Sequence, residues 1–158
     1  MDNDAAAFLK ALEEKQGGQL TWRTFCTYYA DNTGVVRDHG VFLYEVNKHF
    51  YYQDFEHTAQ IFGIPIPKPK NAKPYEMFEG DFDPADVTTV RLVRKKAAEA
   101  FCNGTKKYEK LKPAGPFARL FCQCVTEFAL KDKKVLFFEL MDKTLNNKIT
   151  EAQTSNKE

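Results

Sequence analysis

Apolar residues recur along this chain at spacings that fit helices better than strands. In residues 4–16, Phe8, Leu9 and Leu12 form a stripe behind a capping Asp4, and Gly17-Gly18 stops it. In residues 20–30, Trp22, Phe25, Cys26 and Tyr29 fall at i, i+3, i+4 and i+7, with Thr21 placed to cap. The composition of that segment, rich in Thr, Trp, Phe and Tyr, favours a strand. Helix is the preferred reading, because both faces of a strand would be mixed. Asp31-Asn32-Thr33-Gly34 is a turn. The same conflict runs through residues 38–62. Phe42, Val46 and Phe50 are spaced for a helix behind Asp38, whereas residues 41–46 and 49–52 could pair as a hairpin across Asn47-Lys48. Residues 54–62 read as a second short helix ended by Gly63 and Pro65.

Residues 63–84 interrupt the pattern. They hold five of the seven prolines, so neither a helix nor a central strand can run through them. Their charge changes sign from Lys68, Lys70 and Lys73 to Glu76, Glu79, Asp81 and Asp83. We read the stretch as a crossover on the surface of one domain. Beyond it, Asp83-Pro84 is a helix start, and Val87, Val90, Val93, Ala97 and Phe101 make one stripe up to Asn103-Gly104. Residues 112–116 form a loop. Phe117, Leu120, Phe121, Cys124, Val125 and Phe128 then trace an amphipathic helix, and Val135, Phe138, Leu140, Met141 and Leu145 a last one. The pattern therefore predicts a mainly α fold. It is a single-domain bundle of about six helices over residues 4–146, with a Pro-rich crossover and a disordered polar tail over 147–158. The alternative is an α+β fold with residues 20–55 as a curved antiparallel sheet packed by the C-terminal helices. That arrangement would resemble a lipid- or peptide-binding module.

Composition changes this picture little. At 158 residues the chain can bury a core without staples, and its fourteen Phe, seven Tyr and one Trp supply large side chains for it. A net charge of +1 excludes a global electrostatic nucleic-acid binder, so any such role needs a local patch. The acidic start of the chain lacks the basic, then apolar, character of a secretory leader. No window approaches a membrane span. With Cys26, Cys102, Cys122 and Cys124 read as free thiols, the expected location is cytoplasmic.

Candidate chemistry is sparse. His39, His49 and His57 share a region with several Asp residues, but no zinc-type spacing exists, and Gly34 in a calcium-loop register puts Tyr29 and Gly40 where acids are needed. Cys26 and Cys124 sit on apolar stripes, where Cys behaves as a small hydrophobe. Lys110-x-x-Pro113-x-x-Pro116 has the letters of a polyproline ligand, with Ala114-Gly115 loosening its middle. The expectation is no catalytic residue, no metal and no cofactor. One electrostatic signal stands out: Arg91, Arg94, Lys95, Lys96, Lys106, Lys107, Lys110 and Lys112, opposed only by Glu99 and Glu109. Those eight charges suit an acidic protein surface, phosphate or anionic lipid. With Tyr108 alone in the loop, a base-stacking nucleic-acid surface is not supported.

Trp22, followed by Asp38-His39-Gly40-Val41-Phe42-Leu43-Tyr44-Glu45-Val46, resembles the opening of a calponin-homology domain. There a Trp-bearing helix precedes an Asp-Gly turn and an apolar helix. The likeness covers about a sixth of the chain, and His39 separates the Asp from the Gly. It implies binding to actin or microtubules, with residues 91–112 as the contact. The leading functional expectation is thus a non-enzymatic interaction module whose basic segment binds an acidic, for instance cytoskeletal, protein. A phosphoinositide or anionic-lipid module and a small ligand-binding protein or enzyme are the alternatives.

Overall fold

A computed structural model describes residues 2–34, 36–55, 60–61, 64–65, 74–141, 144–145 and 147–149. Its elements are α1 (Asp2–Gln16), β1 (Leu20–Asp31), β2 (Val36–Val46), β3 (His49–Gln53), β4 (Gln60–Ile61) and β5 (Ile64–Pro65). They continue with β6 (Glu79–Phe82), β7 (Val87–Arg94), α2 (Lys95–Cys102), α3 (Pro116–Phe121), β8 (Cys124–Leu130) and β9 (Val135–Glu139). Seven strands form one antiparallel sheet in the order β6-β3-β2-β1-β9-β8-β7, and β4 pairs only with β5.

The sheet has to curl. Its edge strands β6 and β7 are joined by residues 83–86 alone, a reach of at most ~18 Å. In a flat seven-stranded sheet those edges would lie ~29 Å apart. The edges therefore approach each other, as in a barrel. Ring contacts across the interior agree: the Phe82 ring of β6 is 5.7 Å from Phe128 of β8 and 6.5 Å from Phe138 of β9. Tyr28, Phe50, Tyr52, Phe128 and Phe138 fill the inside. Helical residues 144–145 and 147–149 add Leu145 and Ile149 to the same core, and Trp22 Nε1 donates to Thr144 Oγ1 at 3.2 Å. The tail expected from residue 147 thus has its first three residues in helix.

Each half of the convex face carries its own cover. On one side, Phe8, Leu9 and Leu12 of α1 pack on Phe42, Tyr44 and Val46 of β2. On the other, Ala98 and Cys102 of α2, with Leu111, pack on Val93, Val125 and Phe137. Of the described halves of the Pro-rich stretch, residues 74–78 lead into β6, and Asp54 accepts from the Phe78 amide at 2.8 Å. Lys68, Lys70 and Lys73 lie outside the described residues.

The predicted helical bundle is wrong: the fold is mostly antiparallel sheet. Only α1 stands as expected. Residues 20–30 and 38–53 are strands, as in the α+β alternative, so Trp22 and residues 38–46 lie on β1 and β2 rather than on the helices of a calponin-homology domain. Residues 117–128 split into α3 and β8, and 135–139 are strand. Residues 83–101 divide into a single 3-10 turn, β7 and α2.

Two physical causes misled the periodicity. Strands covered on both faces lose their alternation: β8 is buried from Val125 to Leu130 and β9 from Val135 to Phe138. Bulges shift the period by one. The register of β7 slips between Val87 and Thr89, so Val87 and Val90, three apart, both face the interior. A slip between Tyr28 and Ala30 of β1 likewise puts Tyr28 inside and Ala30 outside.

Candidate functional site

The segment between β7 and β8 departs most from a plain sheet protein. β7 ends at Arg94, which stays extended (φ −66°, ψ 134°) as the N-cap of α2, and the Lys95 amide donates to the Gln123 carbonyl at 2.9 Å. The loop after α2 is tied down at several points. The Lys106 amide donates to Ala100 O at 2.8 Å, Thr105 Oγ1 to the same oxygen at 2.9 Å, and the Ala114 amide to Leu92 O of β7 at 2.7 Å. Leu111 and Ala114 are buried beneath it. Gly115-Pro116 then starts α3, with proline at a position that needs no donor.

α3 is amphipathic in the inverted sense. Ala118 is its buried residue, while Phe117, Leu120 and Phe121 are 70%, 75% and 66% exposed. The Phe117 and Phe121 rings touch each other at 4.6 Å and leave their outer faces to solvent. Three large apolar side chains on six residues form a projecting patch that the fold itself leaves uncovered.

Seven of the eight basic residues fall into two groups. Arg91 and Lys95 are used internally. Arg91 Nε donates to Glu127 Oε2 at 2.7 Å, and Glu127 is fully buried. Tyr108 donates to the other oxygen of Glu127 at 2.7 Å, and the Arg91 guanidinium lies 5.4 Å from the Tyr108 ring centre. The Glu127 contact raises the Arg91 pKa, so this charge is fixed. Lys95 donates to Asp38 at 3.3 Å and Glu139 at 3.4 Å, and lies 4.6 Å over Tyr29. Burial pulls the Lys95 pKa down, but the two carboxylates outweigh it and the net shift is upward.

Arg94, Lys96, Lys106, Lys110 and Lys112 form the second group. Among the described residues none of them takes part in an ion pair. Arg94 and Lys96 line a concavity of about 630 Å³ that Phe121 and Cys122 close on the α3 side. Arg94 also lines a second one, of about 640 Å³, with Lys106, Lys110 and Lys112. Lys107 is exposed and lines neither. The arrangement thus places an arc of cations beside the apolar patch. Arg119 adds to it, its Nε donating to Ala114 O at 2.9 Å.

The opposite charge gathers elsewhere. Asp81, Asp83, Asp86 and Asp132 surround a smaller hollow with Lys134 and with His49, whose Nε2 lies 2.7 Å from Asp81 Oδ2, and Lys131 pairs with Asp86 at 3.0 Å. Asp86 precedes β7 and Arg94 ends it, so ~26 Å of extended chain separates this hollow from the basic arc.

Among the described residues no three His, Cys, Asp or Glu side chains are grouped to hold a metal. The Cys26 and Cys102 thiols are buried, and burial pushes both up to about 12, which disfavours the thiolate a nucleophile requires. Pro116 of the polyproline-like motif is the first residue of α3.

Sequence reasoning found the cations and missed Phe117, Leu120, Phe121 and Arg119. It read the apolar three as a buried stripe. Comparison with family models, curated proteins and solved structures returns no match, so the site is interpreted from its own geometry. No helix among the described residues is long and apolar enough to cross a membrane.

Proposed function

We propose that this protein binds the surface of an anionic membrane through α3 and the cations beside it. The observation that carries the reading is the adjacency of three exposed apolar side chains and an arc of cations without ion-pair partners among the described residues. An apolar contact alone binds a bilayer marginally, and so does a basic patch of modest charge. Together they add: each cation near an anionic leaflet contributes about 1 kcal/mol. Each large apolar side chain withdrawn from water adds up to about 1.5–3 kcal/mol. Phe and Leu side chains are what interfacial helices bury at the headgroup–acyl boundary, and the projection of α3 suits a deformable surface better than a rigid groove.

Strands over residues 20–53 also favour the lipid-binding alternative over the helical cytoskeletal one. The anionic leaflet in question is the cytoplasmic one, and a cytoplasmic location fits the four free thiols. In this reading the protein is a non-enzymatic binding module.

Vesicle co-sedimentation tests it. The full chain is expected to pellet with vesicles containing phosphatidylserine and not with neutral phosphatidylcholine vesicles, and binding should weaken as salt rises. Phe117→Ser with Leu120→Ser and Phe121→Ser should reduce pelleting at least tenfold. So should Arg94→Glu with Lys96→Glu. Absence of vesicle binding, alongside salt-sensitive capture of an acidic protein, overturns the reading in favour of a protein partner. Binding that ignores the α3 substitutions overturns it as well.

A further inference from the structure

We infer that the hollow between α2 and the loop of residues 103–115 is a binding site for clustered phosphate monoesters, as carried by a multiply phosphorylated ring. This deepens the membrane reading by naming the headgroup, and it rests on that reading only for the source of the ligand.

Arg94, Lys106, Lys110 and Lys112 converge on this hollow, and Glu109 is the one carboxylate in its wall, an excess of three positive charges (4 − 1). Carboxylates are not scarce nearby. Arg91 has Glu127, and Lys95 has both Asp38 and Glu139. The cations around the hollow lack such partners among the described residues. Four like charges facing one concavity repel one another, and a bound anion relieves that repulsion.

The backbone holds them there without help from a ligand. The Ala114 amide is bonded to β7, the Lys106 amide and the Thr105 hydroxyl to Ala100, and the Leu111 amide to Tyr108 O at 2.9 Å. Binding therefore requires ordering of side chains but not of the loop, which lowers its entropic cost.

Size and charge density select the ligand class. A hollow of about 640 Å³ is within the usual range for a ring-sized ligand and is roomy for a single phosphate. A phosphate monoester carries about −1.5 to −2 at neutral pH, so two or three of them match this wall better than scattered carboxylates do. Within the hollow itself the bases of a nucleic acid find no stacking platform, because none of its lining residues is aromatic. Arg94 is shared with the concavity that Phe121 closes, so a headgroup in the hollow lies beside the apolar patch.

Two arms separate this site from the membrane reading. In the first, calorimetry follows binding of soluble inositol trisphosphate to the full chain. Saturable 1:1 binding is expected, weakened at least tenfold by Lys106→Gln with Lys110→Gln and Lys112→Gln, and less than twofold by the exposed neighbour Lys107→Gln. Circular dichroism checks that each variant is folded, and Lys110→Gln alone, with a loss of about threefold, serves if the triple variant is not. In the second arm, vesicles of matched net charge carry either phosphatidylserine alone or a phosphoinositide. Tighter binding to the phosphoinositide vesicles, lost in the triple variant, supports the site. No saturable trisphosphate binding, or equal losses in the triple variant and Lys107→Gln, overturns it even where phosphatidylserine vesicles still bind. Trisphosphate binding without any vesicle binding keeps the site, assigns it to a soluble polyphosphate, and overturns the membrane reading instead.

Discussion

The two covers on the convex face solve the same packing problem by different means. On the β2 side, α1 lays aromatic and aliphatic side chains on an apolar strand, with Phe8 5.6 Å from Phe42. Its polar links lie at the margin, such as Lys15 to Glu79 at 2.6 Å between partly exposed side chains. On the β8 side the cover is half charged. Glu127 is sealed beneath it and answered by Arg91 and Tyr108, while its own large apolar side chains on α3 point outward. A cover needed only for stability would be built like the first. The second hides a charge and exposes hydrophobes, which spends stability on a surface.

The sharpest way to break the comparison is to remove the hidden charge. Glu127→Ala leaves Arg91 half-buried without its partner and should cost about 3–5 kcal/mol in urea unfolding. In a double-mutant cycle with Arg91→Met, much of that loss should disappear, because the second change removes the orphaned cation. Next in size is the apolar cover. Phe42, 3% exposed and in contact with Phe8 and Tyr44, should cost about 3 kcal/mol as Phe42→Ala. No charge-partner substitution should rescue it. A rescue on the α1 side, or none at Arg91, would erase the distinction between the covers.

The same contrast explains what was legible in the sequence. α1 was readable because it has one covered face: Phe8, Leu9 and Leu12 alternate with charged residues at a helical period. The strands were not, because β1, β8 and β9 are covered inside by rings and outside by α2 or its loop. Alternation vanishes from such a strand, and bulges at Tyr29 and Thr88 replace it with three-residue spacings. The aromatic and Thr-rich composition of residues 20–30 pointed to strand and was the better guide. At the site, charge was visible in a way geometry was not. The eight cations could be listed, but which ones have partners depends on Glu127, Asp38 and Glu139, and all three come from other strands. The exposure of α3 was hidden for a related reason: an apolar stripe is the same letters whether it faces a core or water.

Two smaller effects sharpen the division within the basic segment. Lys95→Met should cost about 1 kcal/mol at neutral pH, since Asp38 and Glu139 are both substantially exposed. Its folded pKa is raised, so its contribution is complete below the unfolded value of about 10.5 and is lost as pH rises through the folded one. The gap in thermal midpoint between wild type and Lys95→Met should accordingly be constant from pH 7 to 9 and close under more alkaline conditions. Lys96→Met, with no ion-pair partner among the described residues, should show no such gap.

The smallest expected effect decides the most. Leu120 is 75% exposed, so its removal uncovers almost nothing. Leu120→Ser should shift unfolding by no more than about 0.5 kcal/mol, the range for surface positions away from special features. Phe42→Ala, which also removes one large apolar side chain, lies several-fold above it. That ratio measures how far the α3 patch is free of the fold's own needs. A loss above about 1 kcal/mol at Leu120 would mean that something covers α3 in solution, and the patch would then belong to stability, as α1 does. A loss near zero leaves three hydrophobes that folding does not require, standing beside cations without ion-pair partners among the described residues. A surface of that kind is selected by what lies outside the chain.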